Sequence, residues 1–272
     1  KDWMERWFPR HLVYIKIQLV QPMTAPEHFH ETDPSGLQTL ERFAQATRFN
    51  RWMFETIRPY CKGHVLEVGS GIGNLSQHFL EKNFRLTASD LRDEYINILH
   101  GKFGHHPNLA GIKPIDLAVG NFETRYPDLL QHFDTVVALN VIEHIQDDEL
   151  AIGNCKKLLK PGGHLVVLVP AWQSLYNSFD EELGHWVRYT GKSLNELLGS
   201  QQLKVFHTRY FNSVGIVGWA INGALFRKRL IPRKQLQLYD KLVPAIKLID
   251  AITFRKLGLS VLSVARKPEQ NN

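Results

Sequence analysis

The run Val65-Leu-Glu-Val-Gly-Ser-Gly-Ile-Gly-Asn-Leu-Ser76 limits what this chain can fold into more than any other stretch. An apolar, strand-like segment breaks at Gly69, Gly71 and Gly73, and a helical pattern resumes at once. Glycine accepts left-handed backbone and lets a ligand come close. The run therefore predicts a strand, a tight turn and a helix opening, with backbone N–H groups offered to a bound molecule. The spacing is G-x-G-x-G. A dinucleotide fingerprint starting at Gly69 needs glycine at position 74, where Asn74 stands, and the lysine of a Walker A loop is missing. The turn suits a nucleoside-type ligand that is neither a dinucleotide nor a triphosphate.

Around this turn the chain alternates. Helical periodicity runs from about Leu37 to Pro59. Strands are predicted at 65–68, 84–88, 113–117, 133–139 and 164–169, with helices at 75–81, 94–99, 148–159 and 191–198. The segments 203–210 and 259–265 can close the sheet as an antiparallel pair. Strands separated by helical crossovers predict an α/β, doubly wound, mostly parallel sheet. The expected organisation is an arm over 1–36, a ligand-binding core over 37–210, an apolar-basic helical insert over 211–258, and a closing strand and frayed tail over 259–272.

In 272 residues there are two cysteines, Cys61 and Cys155, and neither belongs to a C-x-x-C pair. That argues against a disulfide scaffold and against zinc, and points to a reducing, cytoplasmic setting. The net charge of +6 is uneven. Residues 1–204 carry 21 basic and 24 acidic side chains, whereas residues 205–272 carry 12 and 3. A basic C-terminal segment fits a solvated face, nucleic acid, or the anionic inner face of a membrane.

Ligands of open α/β sheets bind beyond the carboxyl ends of the strands. The second strand ends at Asp90, 21 residues after Gly69. Its carboxylate can accept from both hydroxyls of a ribose or cap the following helix. Asp116 and Leu117, after the third strand, can face an adenine or form a plain turn. The fourth strand runs into Asn140-Val-Ile-Glu-His144, where His144 is a candidate base or a satisfied structural histidine.

Together these pieces resemble class I S-adenosylmethionine-dependent methyltransferases of the small-molecule type. The resemblance covers about residues 40–210. It rests on 65–73, on Ser89-Asp90, on Asp134 through Ile145, and on Leu158-Leu-Lys-Pro-Gly-Gly-His-Leu165. It implies a seven-stranded Rossmann-like sheet of order 3-2-1-4-5-7-6 with strand seven antiparallel. It also implies S-adenosylmethionine as cofactor, lined by Glu67, Gly69, Ser70, Gly71, Gly73, Asp90, Leu91, Asp116, Leu117, Asn140 and Val141. The histidines are dispersed without the spacing of a metal clamp, so no metal is expected.

The segment from Pro170 to Thr190 interleaves aromatics with Asp180, His185 and Arg188 and suits an acceptor wall. It resembles a bacterial methyltransferase subgroup associated with glycan or lipid assembly. His144, His185, Arg188 and Tyr189 are the catalytic candidates. The alternative is a packed connection holding an Asp180–Arg188 ion pair. Tyr210 to Phe226 is uncharged and is followed by Arg227-Lys-Arg229. It can lie on a bilayer, pack in the core or a homodimer, or span a membrane. The expected acceptor is a small or lipid-like molecule. Nucleic acid is disfavoured, because no Asn-Pro-Pro-Tyr or Asp-Pro-Pro-Tyr motif is present. A non-catalytic cofactor-binding protein and an oxidoreductase with a degenerate fingerprint are the competing readings.

Overall fold

A computed structural model describes residues 34–221, 232–252 and 255–269. In chain order its elements are α1 (Pro34–Ala44), α2 (Thr47–Ile57), β1 (His64–Val68), α3 (Ser76–Glu81), β2 (Arg85–Ser89), α4 (Asp93–Phe103), β3 (Leu109–Lys113) and α5 (Phe122–Arg125). There follow β4 (Phe133–Leu139), α6 (Asp148–Leu158), β5 (Leu159–Pro170), α7 (Ser178–Leu183), α8 (Gly191–Ser200), β6 (Lys204–Phe211), α9 (Gly215–Trp219), α10 (Arg233–Ile252) and β7 (Ser260–Arg266).

The seven strands form one sheet of order β3-β2-β1-β4-β5-β7-β6. Pairing is parallel from β3 to β5, and β7 runs antiparallel to both β5 and β6. This is the Rossmann-like order that the resemblance implies. The central strands are apolar throughout because both faces are covered. On one side Leu66, Val136, Leu165 and Val167 pack with Ile152 and Cys155 of α6 and Leu194 and Leu198 of α8. On the other, Val65, Val137, Val166 and Leu168 pack with Trp52 and Phe54 of α2, Phe79 of α3 and Ile246 of α10.

Several boundaries move. The single helix expected over 37–59 is two. Gln45 and Ala46 fold their amides back onto the carbonyls of Arg42 and Phe43, and Ala46 leaves the helical region before its carbonyl starts α2 by accepting from Asn50. The third strand lies at Leu109–Lys113, not 113–117. Pro114 has no N–H to extend the ladder, and Gly111 dilutes the apolar signal. Strand β5 starts at Leu159, because the expected Pro-Gly-Gly turn is drawn into the sheet through a register shift against β4. Lys267 is anchored rather than frayed: its Nζ donates to the carbonyls of Lys156 and Leu159 at 3.0 and 2.6 Å. The expected arm falls outside the described residues up to position 33, and α1 takes up its last three.

The uncharged run from Tyr210 is not one helix where it is described. It comprises the end of β6, a turn and the short α9. Among the described residues, no helix is long and apolar enough to cross a membrane. The inner face of α10 instead packs on the core. Tyr239 joins an aromatic group with Phe49, Trp52 and Phe211, and Asp240 Oδ1 accepts from the Phe49 amide at 2.9 Å. Asp250 accepts from the amides of Asn212 and Ser213, both at 2.7 Å, and so fixes the turn after β6. Replacing Asp240 with alanine should cost about 1.5 kcal/mol, the low end for a hydrogen bond to a charged group, because the pair is only part-buried. Urea denaturation would show it as a lower midpoint with an unchanged slope.

Candidate active site

At the carboxyl ends of β1 and β2 the glycine turn has left-handed backbone at all three glycines, with φ of 66, 54 and 84°. Each glycine has its own reason. A Cβ on Gly69 would lie 2.5 Å from Val141 Cγ2, so this glycine lets the β1 turn approach the β4 turn. A Cβ on Gly73 would lie 2.3 Å from Phe103 of α4. Gly71 is buried, and a Cβ there would lie 3.0 Å from Leu40 Cδ1 of α1, so this glycine lets α1 close over the turn. Helix α1 covers the turn and is tied there by Asn74 Nδ2 donating to the Leu40 carbonyl at 3.0 Å. No motif in the sequence announces Leu40 as part of the site; its helical periodicity reads as core.

Ser70 and Asp90 stitch the two strand ends together. Ser70 N donates to the Ser89 carbonyl at 2.7 Å, and Ser89 N donates to Ser70 Oγ at 3.1 Å. Asp90 Oδ2 accepts from Gly71 N at 2.9 Å and Oδ1 from Arg92 N at 3.1 Å. Burial raises the Asp90 carboxyl above its usual range against the pull of these hydrogen bonds. Each carboxylate oxygen has two lone pairs, so both retain an acceptor site for a ribose diol. Glu67 lies buried beneath the turn, and its Oε2 accepts from Ser76 Oγ at 2.5 Å. Desolvation pushes this carboxyl up to about 7.

The remaining candidates on this edge are less uniform. Leu91 is exposed and Asn140 takes left-handed backbone (φ 53°), both beside the turn. Asp116 forms a local turn, accepting from Ala118 N at 2.8 Å, with Arg125 at 4.0 Å. Leu117 is packed in the core, where Asn154 Nδ2 reaches its carbonyl at 2.9 Å. That burial turns the Leu117 side chain away from a ligand-facing role.

On the other side of the β4 end, the segment after β5 folds around Asp180, which is fully buried. Asn177 and Asp180 form a reciprocal cap on α7. Asp180 Oδ1 accepts from His185 Nδ1 and from Arg188 Nε, each at 2.8 Å. Burial alone would raise the Asp180 carboxyl, but these two donors outweigh it and hold it below its usual range. Arg188 also donates to the Ala171 carbonyl at 3.0 Å and lies 4.7 Å from the Trp219 ring. The expected Asp180–Arg188 ion pair is therefore present, and Arg188 holds the wall together instead of reaching for an acceptor. Tyr189 also departs from the catalytic set. It is buried in the core, its hydroxyl donates to Asp148 Oδ2 at 2.7 Å, and burial raises it far above the usual phenol range.

His144 and His185 come together. Their rings meet edge to face, 4.7 Å between centroids. The residue His144 reaches solvent, but desolvation of its ring and the neighbouring His185 lower it to about 4, so it is neutral at physiological pH. Beside them lies Glu143, which was not among the expected site residues. It is fully buried with neither carboxylate oxygen hydrogen-bonded, and desolvation pushes it up to about 8. Its carbonyl accepts from Trp186 N at 2.8 Å, joining the β4 turn to the wall. Donor atoms of Glu143, His144 and His185 all lie within 4.8 Å of one another, a possible metal-ligand set formed by residues 41 positions apart, which spacing does not reveal.

The concavity of about 650 Å³ lined by His64, Lys82, Arg85, His132 and Lys160 opens at the opposite, amino-terminal end of the strands and is separate from this site.

The profile of a family described as a methyltransferase domain matches residues 37–208, taking in the glycine turn, Asp90 and the whole wall. The chain belongs to this methyltransferase family. It is of the class I, S-adenosylmethionine-dependent, small-molecule type. The ubiquinone biosynthesis O-methyltransferase of Xylella fastidiosa is 28% identical over 167 residues, 52% of this chain and 65% of that protein. The chain thus spans less than two thirds of the curated relative's length. Among solved structures, a SAM-dependent methyltransferase from Archaeoglobus fulgidus aligns with a TM-score of 0.52 at 17% identity, over 80% of this chain and 94% of its own. Phosphoethanolamine N-methyltransferase 2 of Haemonchus contortus, in complex with S-adenosylmethionine, aligns with a TM-score of 0.54 at 16% identity, over 85% and 57%. At such identities the likeness shows the fold. The family's cofactor is S-adenosylmethionine, and the turn suits its nucleoside half: left-handed glycines at the end of β1, and a buried carboxylate with free lone pairs beside them.

Glu143 gives a test with a definite sign. The folded protein keeps a proton on this carboxyl up to about pH 8, whereas an unfolded carboxyl releases it near pH 4.5. The folded state binds more protons across that window, so this group's contribution to stability falls as pH rises through it. Glu143→Gln should remove that fall. The difference in unfolding free energy between variant and parent should shift in favour of the variant from pH 5 to pH 8. Parallel pH profiles for the two proteins would contradict a neutral buried Glu143.

Proposed function

We propose that this chain transfers the methyl group of S-adenosylmethionine to a small-molecule acceptor that approaches between the Asn140–His144 turn and the wall over 176–189. The observation that carries this reading is the Asp90–Gly71 tie. It sets an acceptor carboxylate against the glycine turn at the carboxyl edge of the sheet, within a chain of this family. Glu67, Gly69, Ser70, Gly71, Gly73 and Asp90 hold or shape the nucleoside side. Asn140 and Val141 lie toward the methyl donor. Asp116 offers a weaker adenine contact.

The sulfonium of the bound cofactor supplies an already activated methyl group. The protein's task is to align the acceptor's nucleophile and exclude water. Asp180 takes the Nδ1 proton of His185 as a hydrogen bond, which leaves Nε2 as the basic nitrogen for an acceptor that must lose a proton. His144, neutral above about pH 4, lines the way from His185 to solvent. A lipid-linked or glycan-related acceptor is our favoured class, on the resemblance of the wall. The quinone and phosphoethanolamine chemistry named for the relatives belongs to the same small-molecule range.

Two variants separate the halves of the site. Asp90→Ala should weaken S-adenosylhomocysteine binding about 10–150-fold, from a charged hydrogen bond of about 1.5–3 kcal/mol. It should also lower the melting temperature, because Gly71 N–H loses its acceptor. Calorimetry that finds a lower melting temperature with unchanged affinity would make Asp90 a cap alone. His185→Ala should leave S-adenosylhomocysteine affinity within about threefold and cut methyl turnover from labelled cofactor at least about tenfold, within the range for a general base. Equal losses of binding and turnover would refute its place on the acceptor side. Binding without turnover across a broad acceptor panel would favour a non-catalytic cofactor-binding protein.

A further inference from the structure

The outer surface of the C-terminal segment has a composition unlike the rest of the molecule. Eight of the eleven exposed large hydrophobic side chains among the described residues fall between Val217 and Leu257. On α10 they form a stripe. Leu238, Leu242, Ala245, Ile249 and Ile252 recur at intervals of four, three, four and three, with Leu248 at its edge. At 1.5 Å per residue this stripe runs about 21 Å along the helix. It lies opposite Leu236, Val243 and Ile246, which face the core.

The charges around it are sorted. Both acids of α10 point inward: Asp240 is 8% exposed and bonds to Phe49, and Asp250 is 2% exposed and holds the turn after β6. The cations point outward. Lys234 and Lys241 flank the stripe, Arg255 and Lys256 lie exposed beyond its end, and Lys247 pairs with Glu55 off to one side. The outward face of α10 is thus apolar and cationic. A second copy of this chain would set these unopposed cations against each other, whereas an anionic bilayer neutralises them and takes up the apolar side chains.

We propose that α10 is a docking surface for an anionic membrane, lying in the plane of the interface with the 238–252 stripe in the headgroup layer. This goes beyond the methyltransferase reading and stands on a different part of the chain. The neighbouring α9 links the same segment to the acceptor wall, since Trp219 packs against Arg188 and Phe179. Docking through this segment therefore brings that wall close to the bilayer.

The test is sedimentation of the full chain with vesicles of phosphatidylcholine alone and of phosphatidylcholine with a quarter phosphatidylglycerol. Binding should be at least about tenfold tighter to the anionic vesicles and should weaken steeply between 50 and 300 mM salt, as exposed charges are screened. Lys234→Gln with Lys241→Gln should remove most of the anionic preference. Leu242→Gln with Ile249→Gln should lower binding to both vesicle types about tenfold. All four positions are exposed, so the variants should fold, and unchanged S-adenosylhomocysteine affinity serves as the control. No vesicle binding by the parent, or equal binding by the Leu242/Ile249 variant, would overturn the proposal. So would a doubled mass in solution that the same variant abolishes, since a second copy would then cover the stripe. Vesicle binding without S-adenosylhomocysteine binding would support docking while sinking the methyltransferase reading.

Discussion

The hydrogen bond from Gly71 N to Asp90 Oδ2 couples the parts of the cofactor edge to one another. It closes the ends of β1 and β2 into one crevice, within a turn whose backbone is left-handed at Gly69, Gly71 and Gly73. That backbone in turn lets Val141 of the β4 turn and Phe103 of α4 press against Gly69 and Gly73. These glycines therefore serve the packing of the protein against itself. A ligand-facing motif and a core-packing motif share the same five residues. The turn cannot be altered for one purpose without disturbing the other.

Four carboxyl groups in this region are brought to different states by their surroundings. Asp180, with His185 and Arg188 on one oxygen, stays ionised despite complete burial. Asp90, bonded only to backbone amides, is raised by burial, but each of its oxygens keeps a lone pair in reserve. Glu67, with only neutral hydroxyl donors, titrates near 7, and Glu143, with neither oxygen hydrogen-bonded, lies higher still. The order follows the number and charge of the donors each carboxylate has gained in exchange for water. Groups that titrate around neutrality beside a histidine pair are what proton movement requires. A purely structural wall would have no evident need for an unpartnered Glu143.

The sheet was legible because its signals are local and periodic. The run from Phe133 to Leu139 is apolar at nearly every position, and the glycine turn at 69–73 is set by backbone sterics. The third strand was misplaced because Leu-Ala-Gly-Ile-Lys carries little apolar contrast, and its end is set by Pro114. The place of Asp90 at the end of β2, against the glycine turn, is readable from the sequence. Glu143, Leu40 and the demotion of Tyr189 are not. What decides those residues is which side chains meet across the fold: α1 over the turn, the wall over the β4 end, and Asp148 at the Tyr189 hydroxyl. Arg188 shows the same limit. Its charge reads as a candidate for substrate, but Asp180 five residues beyond the end of the Gln173–Leu175 turn already holds it.

The C-terminal segment resolves a tension in the charge pattern. A stretch with 12 basic and 3 acidic side chains should repel itself, yet α10 lies along α2 as an integral layer of the domain. Its two acids account for this. Asp240 and Asp250 are turned inward onto backbone amides, where they fasten the middle and the C-terminal end of the helix. The lysines of α10 are thereby left to its outer face. Had those acids faced outward among the lysines, the helix would carry a balanced, solvated surface and weaker attachment. Their inward placement strengthens the attachment and concentrates positive charge beside exposed leucine and isoleucine. Attachment to the core and the sorting of outer charge are thus two results of the same pair of buried carboxylates.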